Sequence, residues 1–362
     1  MLGFSRISRF PGNRTKALCM FITGCSLLFA LTSQKLHSQE AQNDLTNSSL
    51  EELLRTDASP NGMAGGYTLN KGEIKWGYRF MSMKMKGLID GSSKITSNEG
   101  FGATYSYTAV PTEMETNVHM LMPMFAPTEN ITVLFELPFV SKSMDMVLAS
   151  GDTFTLESTG VGDVVTTIMY TWAKTDNDSL VLDFGVSLPS GSTSRKDDSP
   201  LGISRQLPYA MQLGSGTTDF IPGVTYTKTS GMWSYGSLGN VTMRFGTNSN
   251  EYRLGDRIKA STWVARELRD WISVSTRLDG QWWGNVKGSD PALSPSLTNT
   301  EDPNRQGGKR VDLYGGVTLN VAEGAFSGNR LRFEGGLPVI QSLDGLQLRA
   351  KRFFSITWDW VF

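Results

Sequence analysis

Hydrophobic and polar side chains alternate with a period of two along most of the chain after Gly72. Over Ile74–Phe80, apolar residues at even positions alternate with polar or small residues at odd positions. The same pattern recurs over 180–188, 311–321 and 354–362. Because this period is typical of β-strands with one buried face, the sequence predicts an all-β domain over residues 71–362.

The links between the predicted strands alternate in length. Short turns are predicted at 126–130, 174–178, 230–232, 268–270 and 323–328, and long links at 86–112, 145–161, 191–217, 246–256 and 284–309. An up-and-down antiparallel transmembrane β-barrel has this organisation, with tight periplasmic turns and longer extracellular loops. We therefore predict such a barrel with about 12 strands and both chain ends in the periplasm. A mean hydropathy of −0.22 is compatible with it, because alternating faces average out.

The first 38 residues have the features of a secretory signal peptide. A basic stretch with Arg6, Arg9 and Arg14 precedes an apolar run, Ala17–Leu31, which is short for a membrane-spanning helix. A single anchoring helix and a lipoprotein signal ending at Cys25 are alternatives, but the apolar run continues beyond Cys25. Residues 39–70 are polar and are predicted to form a periplasmic tail.

Removal of residues 1–38 changes what chemistry is available. Both cysteines, Cys19 and Cys25, leave with this segment, so no disulfide is expected. Of the 34 basic residues five are lost and 29 remain against 35 acidic ones, a net charge of −6 that argues against nucleic-acid binding. One histidine, His119, remains, and no motif places a serine nucleophile beside it, so an enzyme is not expected. No cofactor is predicted.

The C-terminal segment alternates aromatic side chains, Trp358, Trp360 and Phe362. Outer-membrane barrels resemble one another in ending on such a strand, whose terminal Phe the barrel assembly machinery recognises. This resemblance implies an exported outer-membrane protein whose partners are outer-membrane lipid and that machinery, through Phe362.

Six segments resemble the outer-membrane family named for the meta-pathway of phenol degradation, whose members are often described as transporters. They are Lys75–Gly87, Phe125–Asp145, Leu207–Tyr226, Glu251–Arg257, Trp282–Pro291 and Gly336–Leu348. The resemblance covers the chain from about Gly72 to Phe362. It implies transport of small molecules, with aromatic compounds as candidates, and assigns no binding residue.

Strand parity predicts which polar side chains line the lumen, since a charge facing lipid costs about 2–4 kcal/mol near the midplane. The predicted lining residues are Lys75, Arg79, Glu113, Glu115, Asn117, His119, Asp183, Arg244, Asp312, Arg330, Arg332, Glu334 and Asp359. Mixed charges are compatible with a water-filled passage or with a network that fills the lumen.

Methionines recur at alternate positions in two segments. Met81, Met83 and Met85 share the parity of Lys75 and Arg79 and are candidate inward thioether ligands for a soft metal such as Cu(I). Flexible apolar filling is the alternative interpretation. The second segment, 120–124, is predicted to direct Met120, Met122 and Met124 towards lipid.

The long link 191–217 contains the resembling segment "PYAMQLGSG", and Tyr209, Met211 and Gln212 are candidates for a gating loop. The sequence thus predicts an outer-membrane channel for small molecules. A copper-linked export or resistance component and a non-conducting structural or adhesive barrel are the alternatives.

Overall fold

The computed structural model describes residues 68–321 and 327–361. The strands in chain order are β1 (Ile74–Gly91), β2 (Ser93–Ile95), β3 (Ala109–Leu121), β4 (Met124–Thr128), β5 (Ile131–Leu148), β6 (Thr153–Val161), β7 (Val164–Lys174), β8 (Asp178–Leu188), β9 (Lys196–Ser199), β10 (Gly202–Gln206), β11 (Thr218–Ser230), β12 (Trp233–Phe245), β13 (Tyr252–Arg253), β14 (Arg257–Arg269), β15 (Ile272–Trp283), β16 (Lys287–Gly288), β17 (Gly308–Asn320) and β18 (Asn329–Val361). A short helix, α1, covers Ser97–Phe101, and single 3-10 turns cover Tyr209–Met211, Asn299–Glu301 and Pro303–Arg305. In the described part of the chain, no helix is long and apolar enough to cross a membrane.

Eleven of the described strands form a closed antiparallel barrel in the order β1, β3, β5, β7, β8, β11, β12, β14, β15, β17 and β18, with β18 pairing back onto β1. The 33-residue β18 crosses the wall twice. Its residues up to Leu343 pair with β17, whereas those from Leu343 to Val361 pair with β1. Gly345, with a φ of +88°, lies at this reversal. The wall therefore has twelve crossings, and the predicted up-and-down barrel is confirmed.

The two edges of the barrel differ. β1 begins and β18 ends at one edge, the terminal rim, where most links are tight turns such as Gly231–Met232 between β11 and β12. The opposite edge, the loop rim, carries the long links, which contain α1, β2, β6, β9, β10, β13, β16 and the 3-10 turns. The predicted signal peptide over 1–38, most of the predicted tail over 39–70, and Phe362 lie outside the described residues.

The outward face of the wall carries a belt of exposed apolar side chains. It includes Ile74, Trp76, Phe135, Leu137, Phe139, Ile168, Trp172, Phe184, Tyr235, Leu278, Trp282, Leu313, Leu337, Phe354, Trp358 and Trp360. Contiguous apolar surface of this extent is unfavourable in water and fits a hydrocarbon layer about 25 Å thick. The opposite face of the same strands is buried and rich in charge, so polarity is reversed relative to a soluble barrel.

Candidate functional site

The lumenal face can be assigned strand by strand, because the side chains of directly paired residues lie on the same face of a sheet. On β1, Lys75 is buried whereas its neighbours Ile74 and Trp76 are exposed in the belt. Lys75 and Arg79 therefore face the lumen. The same alternation places the predicted residues Asp183, Arg244, Asp312, Arg330, Arg332, Glu334 and Asp359 on the lumenal face.

Midway along β15, the lumenal face carries a cluster around Arg277. Its guanidinium donates to both carboxylate oxygens of Glu334, with an Nε–Oε1 distance of 3.0 Å and an Nη2–Oε2 distance of 2.5 Å. It also pairs with Asp279 and lies 4.0 Å from the ring centroid of Tyr314. Bidentate pairing of this kind is strong and fixes the orientation of both groups. The cluster therefore ties β15 to β18 across β17.

A second cluster lies near the terminal rim, at the seam where β18 meets β1. Asp359, which is 1% exposed, pairs with Lys75 at 3.4 Å and with Arg332. Its partner on β1 is Gly77, where an added Cβ would lie 3.0 Å from Asp359 Oδ1 and 3.2 Å from Met122 Cβ. The missing side chain at Gly77 thus gives the carboxylate its space.

Further ion pairs extend the network towards the loop rim. The distances are 2.8 Å for Arg310–Asp312, 3.6 Å for Lys259–Asp279 and 3.1 Å for Arg244–Asp219. We call nine charged lumenal side chains of β14, β15, β17 and β18 the ionic wall: Lys259, Arg277, Asp279, Arg310, Asp312, Arg330, Arg332, Glu334 and Asp359. Most of these are buried, so the charges are held by one another and not by bulk water.

Charges on β1 and β5 also interact with the ionic wall. Arg79 on β1 interacts electrostatically with Glu334, with Arg277 and with Glu136 on β5. Glu136 in turn interacts with Lys259 on β14. Charged groups from β1, β5, β14, β15 and β18 therefore interact with one another inside the lumen.

The part of the wall formed by β1, β3, β5 and β7 has a different lining. Its inward side chains include Met81, Met83, Met85, Met114, Met120, Met122, Met124, Met144, Met146 and Met169, which we call the methionine wall. Towards the terminal rim, Met122, Met124 and Met169 pack with Leu134 and with Leu69, from the segment before β1. Towards the loop rim, Met85, Met114 and Met144 occupy directly paired positions on three adjacent strands. They line a cavity of about 80 Å³.

The loop segment Leu207–Gly216 covers the methionine wall at the loop rim. Lys142 on β5 donates from Nζ to the carbonyl oxygens of Ala210 and Gln212, at 2.9 and 2.6 Å. Met211 is fully buried among the methionines, and the Gln212 side chain donates to Leu207 O at 2.7 Å. The candidate gating residues are therefore folded inward and held by hydrogen bonds.

Tyr209 links this segment to the neighbouring loops. Its ring lies 4.9 Å from that of Tyr252, and its hydroxyl accepts from Asp290 N at 3.1 Å. Burial raises the pKa of both tyrosines, so these hydroxyls stay neutral at physiological pH. In the same cap, Glu301 pairs with Arg205 at 2.6 Å, and burial raises the pKa of its carboxyl.

Four predicted lining residues, Glu113, Glu115, Asn117 and His119, do not face the lumen, and that prediction is wrong. His119 pairs with Phe80 and Glu113 pairs with Lys86, both on the outward face of β1. His119 Nδ1 lies 2.7 Å from the Tyr78 hydroxyl. Much of β3 extends towards the loop rim beyond the apolar belt, where outward charges meet a polar environment and alternate like lumenal ones.

The same exchange of inward and outward positions also reversed the orientation predicted for the methionines of this region. Met120 pairs with Arg79, and Met122 bonds through its backbone with Gly77, so both face the lumen. Met124 pairs with Lys75 and is buried. The prediction that Met120, Met122 and Met124 face lipid is therefore wrong.

Several lumenal charges were missed from the sequence, namely Glu136, Lys142, Lys259, Arg277, Asp279 and Arg310. Alternation was sufficient to find three of them. Glu136 lies between Phe135 and Leu137, and Arg277 and Asp279 flank Leu278. The pairs of Arg277 with Glu334 and of Asp279 with Lys259 join different strands and needed the register.

Comparison with known proteins agrees with the fold. The profile of the family described as "Putative MetA-pathway of phenol degradation" matches residues 92–333, and the chain belongs to this family. No curated protein matches the chain. Among solved structures, an outer membrane channel from Pseudomonas putida F1 is similar with a TM-score of 0.56 and 15% identity, over 83% of this chain and 100% of that one. The β-domain of the Bordetella autotransporter BrkA has a TM-score of 0.42 and 8% identity, over 81% of this chain and 100% of that one.

Proposed function

We propose that the protein is a non-enzymatic channel of the bacterial outer membrane, through which small amphipathic molecules, aromatic compounds among them, diffuse. The terminal rim would face the periplasm and the loop rim the outside. The observation that carries the proposal is the division of the lumen into an ionic wall and a methionine wall. A solute with an apolar ring and a polar substituent can contact both at once.

The methionine wall suits such solutes for a physical reason. Methionine is unbranched and polarisable, so it adapts to irregular apolar shapes and makes favourable sulfur–aromatic contacts. Opposite it, one carboxylate oxygen each of Asp279 and Asp312 has no hydrogen-bond partner among the described residues. Buried polar atoms normally have partners. A solute hydroxyl would supply them once neighbouring side chains move aside, because both oxygens are buried.

The loop segment Leu207–Gly216 is the proposed gate. It lies over the loop-rim end of the methionine wall and is held there by Lys142, by its own Gln212 and by bonds from Ser215 to Asp163. Its displacement would open this end of the passage without disturbing the ionic wall. Passage is thus proposed to require movement of this segment and not of the barrel.

Single-channel conductance in planar bilayers tests the proposal. The purified protein is expected to conduct, and phenol is expected to reduce the ion current in a concentration-dependent way, whereas glucose at equal concentration reduces it less. Deletion of 209–216 should raise the open probability. A folded barrel with zero conductance, both intact and with 209–216 deleted, would instead support a structural or adhesive role.

The row Met85, Met114 and Met144 favours a second candidate function, handling of a soft metal ion. Three thioethers on adjacent strands around one cavity are a plausible ligand set for Cu(I). Deletion of the gene should then raise cellular copper or silver sensitivity, and Leu at all three positions should do the same. Unchanged metal tolerance in both strains would remove this candidate and leave the channel proposal intact.

A further inference from the structure

A cluster of cations lies on the outward surface where β1 and β18 meet, close to the loop rim. We call it the cation patch; it consists of Lys86, Lys94, Arg349, Lys351 and Arg352. Arg352 pairs with Lys84, and Lys94 on β2 pairs with Ile89 of β1. Lys351 has Arg349, Lys94 and Lys86 as its electrostatic neighbours. The five side chains therefore share one small region of the surface.

These charges are poorly neutralised by the protein. Among the described residues, Lys94, Arg349, Lys351 and Arg352 form no ion pair, whereas Lys86 shares Glu113 with Lys84. Like charges in proximity destabilise one another unless an anion lies between them. In the ionic wall, by contrast, nearly every cation has a carboxylate partner. The patch thus resembles half of a binding site whose anion comes from outside the chain.

The position of the patch indicates the source of that anion. Arg352 lies two residues from Phe354, an exposed member of the apolar belt, which is about 7 Å along a strand. Lys94 and Lys86 are exposed and lie farther towards the loop rim. The cations therefore stand immediately above the edge of the hydrocarbon layer, at the depth of lipid headgroups. Clusters of Lys and Arg at this depth attract anionic headgroups.

From this geometry we infer that the cation patch binds the phosphate groups of lipopolysaccharide in the outer leaflet. Arg349 and Arg352 supply planar donor pairs that match phosphate oxygens, and the lysines add point charges. The site lies at the seam that closes the barrel, so a bound lipid would bridge β1 and β18 from outside. The inference rests on the proposed outer-membrane location but not on conduction.

Native mass spectrometry of the full-length protein, extracted from outer membranes in a mild detergent, tests this inference. The variant Arg349→Gln/Lys351→Gln/Arg352→Gln is expected to retain less than half as many lipopolysaccharide molecules per barrel as the wild type. The matched control Lys71→Gln/Arg266→Gln/Arg269→Gln removes the same charge near the terminal rim and should retain the wild-type number. Adding back dephosphorylated lipopolysaccharide to delipidated wild type should give markedly weaker binding than the phosphorylated form.

Equal lipid retention by the patch variant and the control would overturn the inference, as would equal binding of the dephosphorylated lipid. Release of the lipid by inorganic phosphate at millimolar concentration would also overturn it, because the site would then select a free anion. The variant Lys351→Arg/Arg352→Lys keeps the charge and should bind like the wild type. Membrane fractionation of each variant distinguishes loss of lipid binding from failure to reach the outer membrane. If the wild type itself does not fractionate with the outer membrane, the proposed function is wrong as well.

Discussion

The ionic wall and the methionine wall face the same lumen but are built on opposite physical principles. In the ionic wall, most side chains are fixed by ion pairs within and between strands, as Arg277 is by Asp279 on the same strand and by Glu334 on β18. In the methionine wall, side chains pack against one another, against apolar neighbours such as Leu134 and against the covering loop, mainly through non-directional contacts. Removal of one partner from the first leaves a buried charge, whereas removal of one thioether from the second leaves a gap that neighbours can fill. We infer that the first wall fixes the shape of the lumen and the second adapts to what passes.

The largest expected effect is a loss of stability when the ionic wall is disrupted. Arg277→Met would leave Glu334 and Asp279 buried without their shared cation. Breaking a buried ion pair in this way costs about 3–5 kcal/mol. The free energy of unfolding, measured by urea titration in detergent or lipid vesicles, should fall by this amount.

The matched control removes the charges together. Arg277→Met combined with Glu334→Gln and Asp279→Asn should recover most of the lost stability, because no uncompensated charge remains. If the single variant is as stable as the wild type, the cluster is solvated and does not fix the wall.

The next expected effect concerns a charge embedded in the methionine side. Lys142→Met would remove both hydrogen bonds to the gate, at Ala210 O and Gln212 O. Hydrogen bonds from charged groups contribute about 1.5–3 kcal/mol each, so the open probability in planar bilayers should rise at least tenfold. The unfolding free energy of the barrel should change much less.

Lys142→Arg preserves the charge and the donors and serves as the control, with gating closer to that of the wild type. A Lys142→Met channel with wild-type open probability would show that packing of Met211, and not Lys142, holds the gate. Protection of residues 207–216 from proteolysis should follow the same order.

A smaller effect, on the block of ion current by phenol, is expected from changes in the methionine wall. Met81→Ser, Met83→Ser and Met120→Ser together would replace apolar contacts along the passage by hydroxyls. At about 0.8 kcal/mol per buried methylene, the block of ion current by phenol should weaken roughly three- to tenfold. Leu at the same positions should keep most of the block, and an unchanged block in the Ser variant would place the aromatic path elsewhere.

The fold was largely predictable from the sequence, because strand and link lengths depend on local alternation and turns. The segment 233–245, between predicted links, is β12 in the structure. Prediction of the site failed where the alternation did not show which set of positions faces the lumen. Along β3, outward residues beyond the apolar belt include Glu113 and Glu115 whereas inward residues include Met114 and Met120, so polarity alone assigns the faces the wrong way round. The ion pairs that join different strands of the ionic wall, such as Arg277 and Glu334, depend on the register between strands distant in sequence, which no local pattern contains.

The smallest expected effect concerns an ion pair outside the ionic wall, between Glu301 and Arg205, and its dependence on pH. In the loop-rim cap, burial raises the pKa of Glu301 although Arg205 opposes the shift. A carboxyl whose pKa is raised in the folded state contributes stability that is present below its ordinary value of 4.5 and is lost as the pH rises through the raised value. Acidification through this window should therefore tighten the cap slightly, the opposite of the usual response of an ion pair. Hydrogen–deuterium exchange of residues 290–302, corrected for intrinsic pH dependence, would measure it through the Ser294 amide, which donates to Glu301 at 2.7 Å. Glu301→Gln should abolish the dependence, and a cap that loosens on acidification would show that the bond to Arg205 outweighs burial.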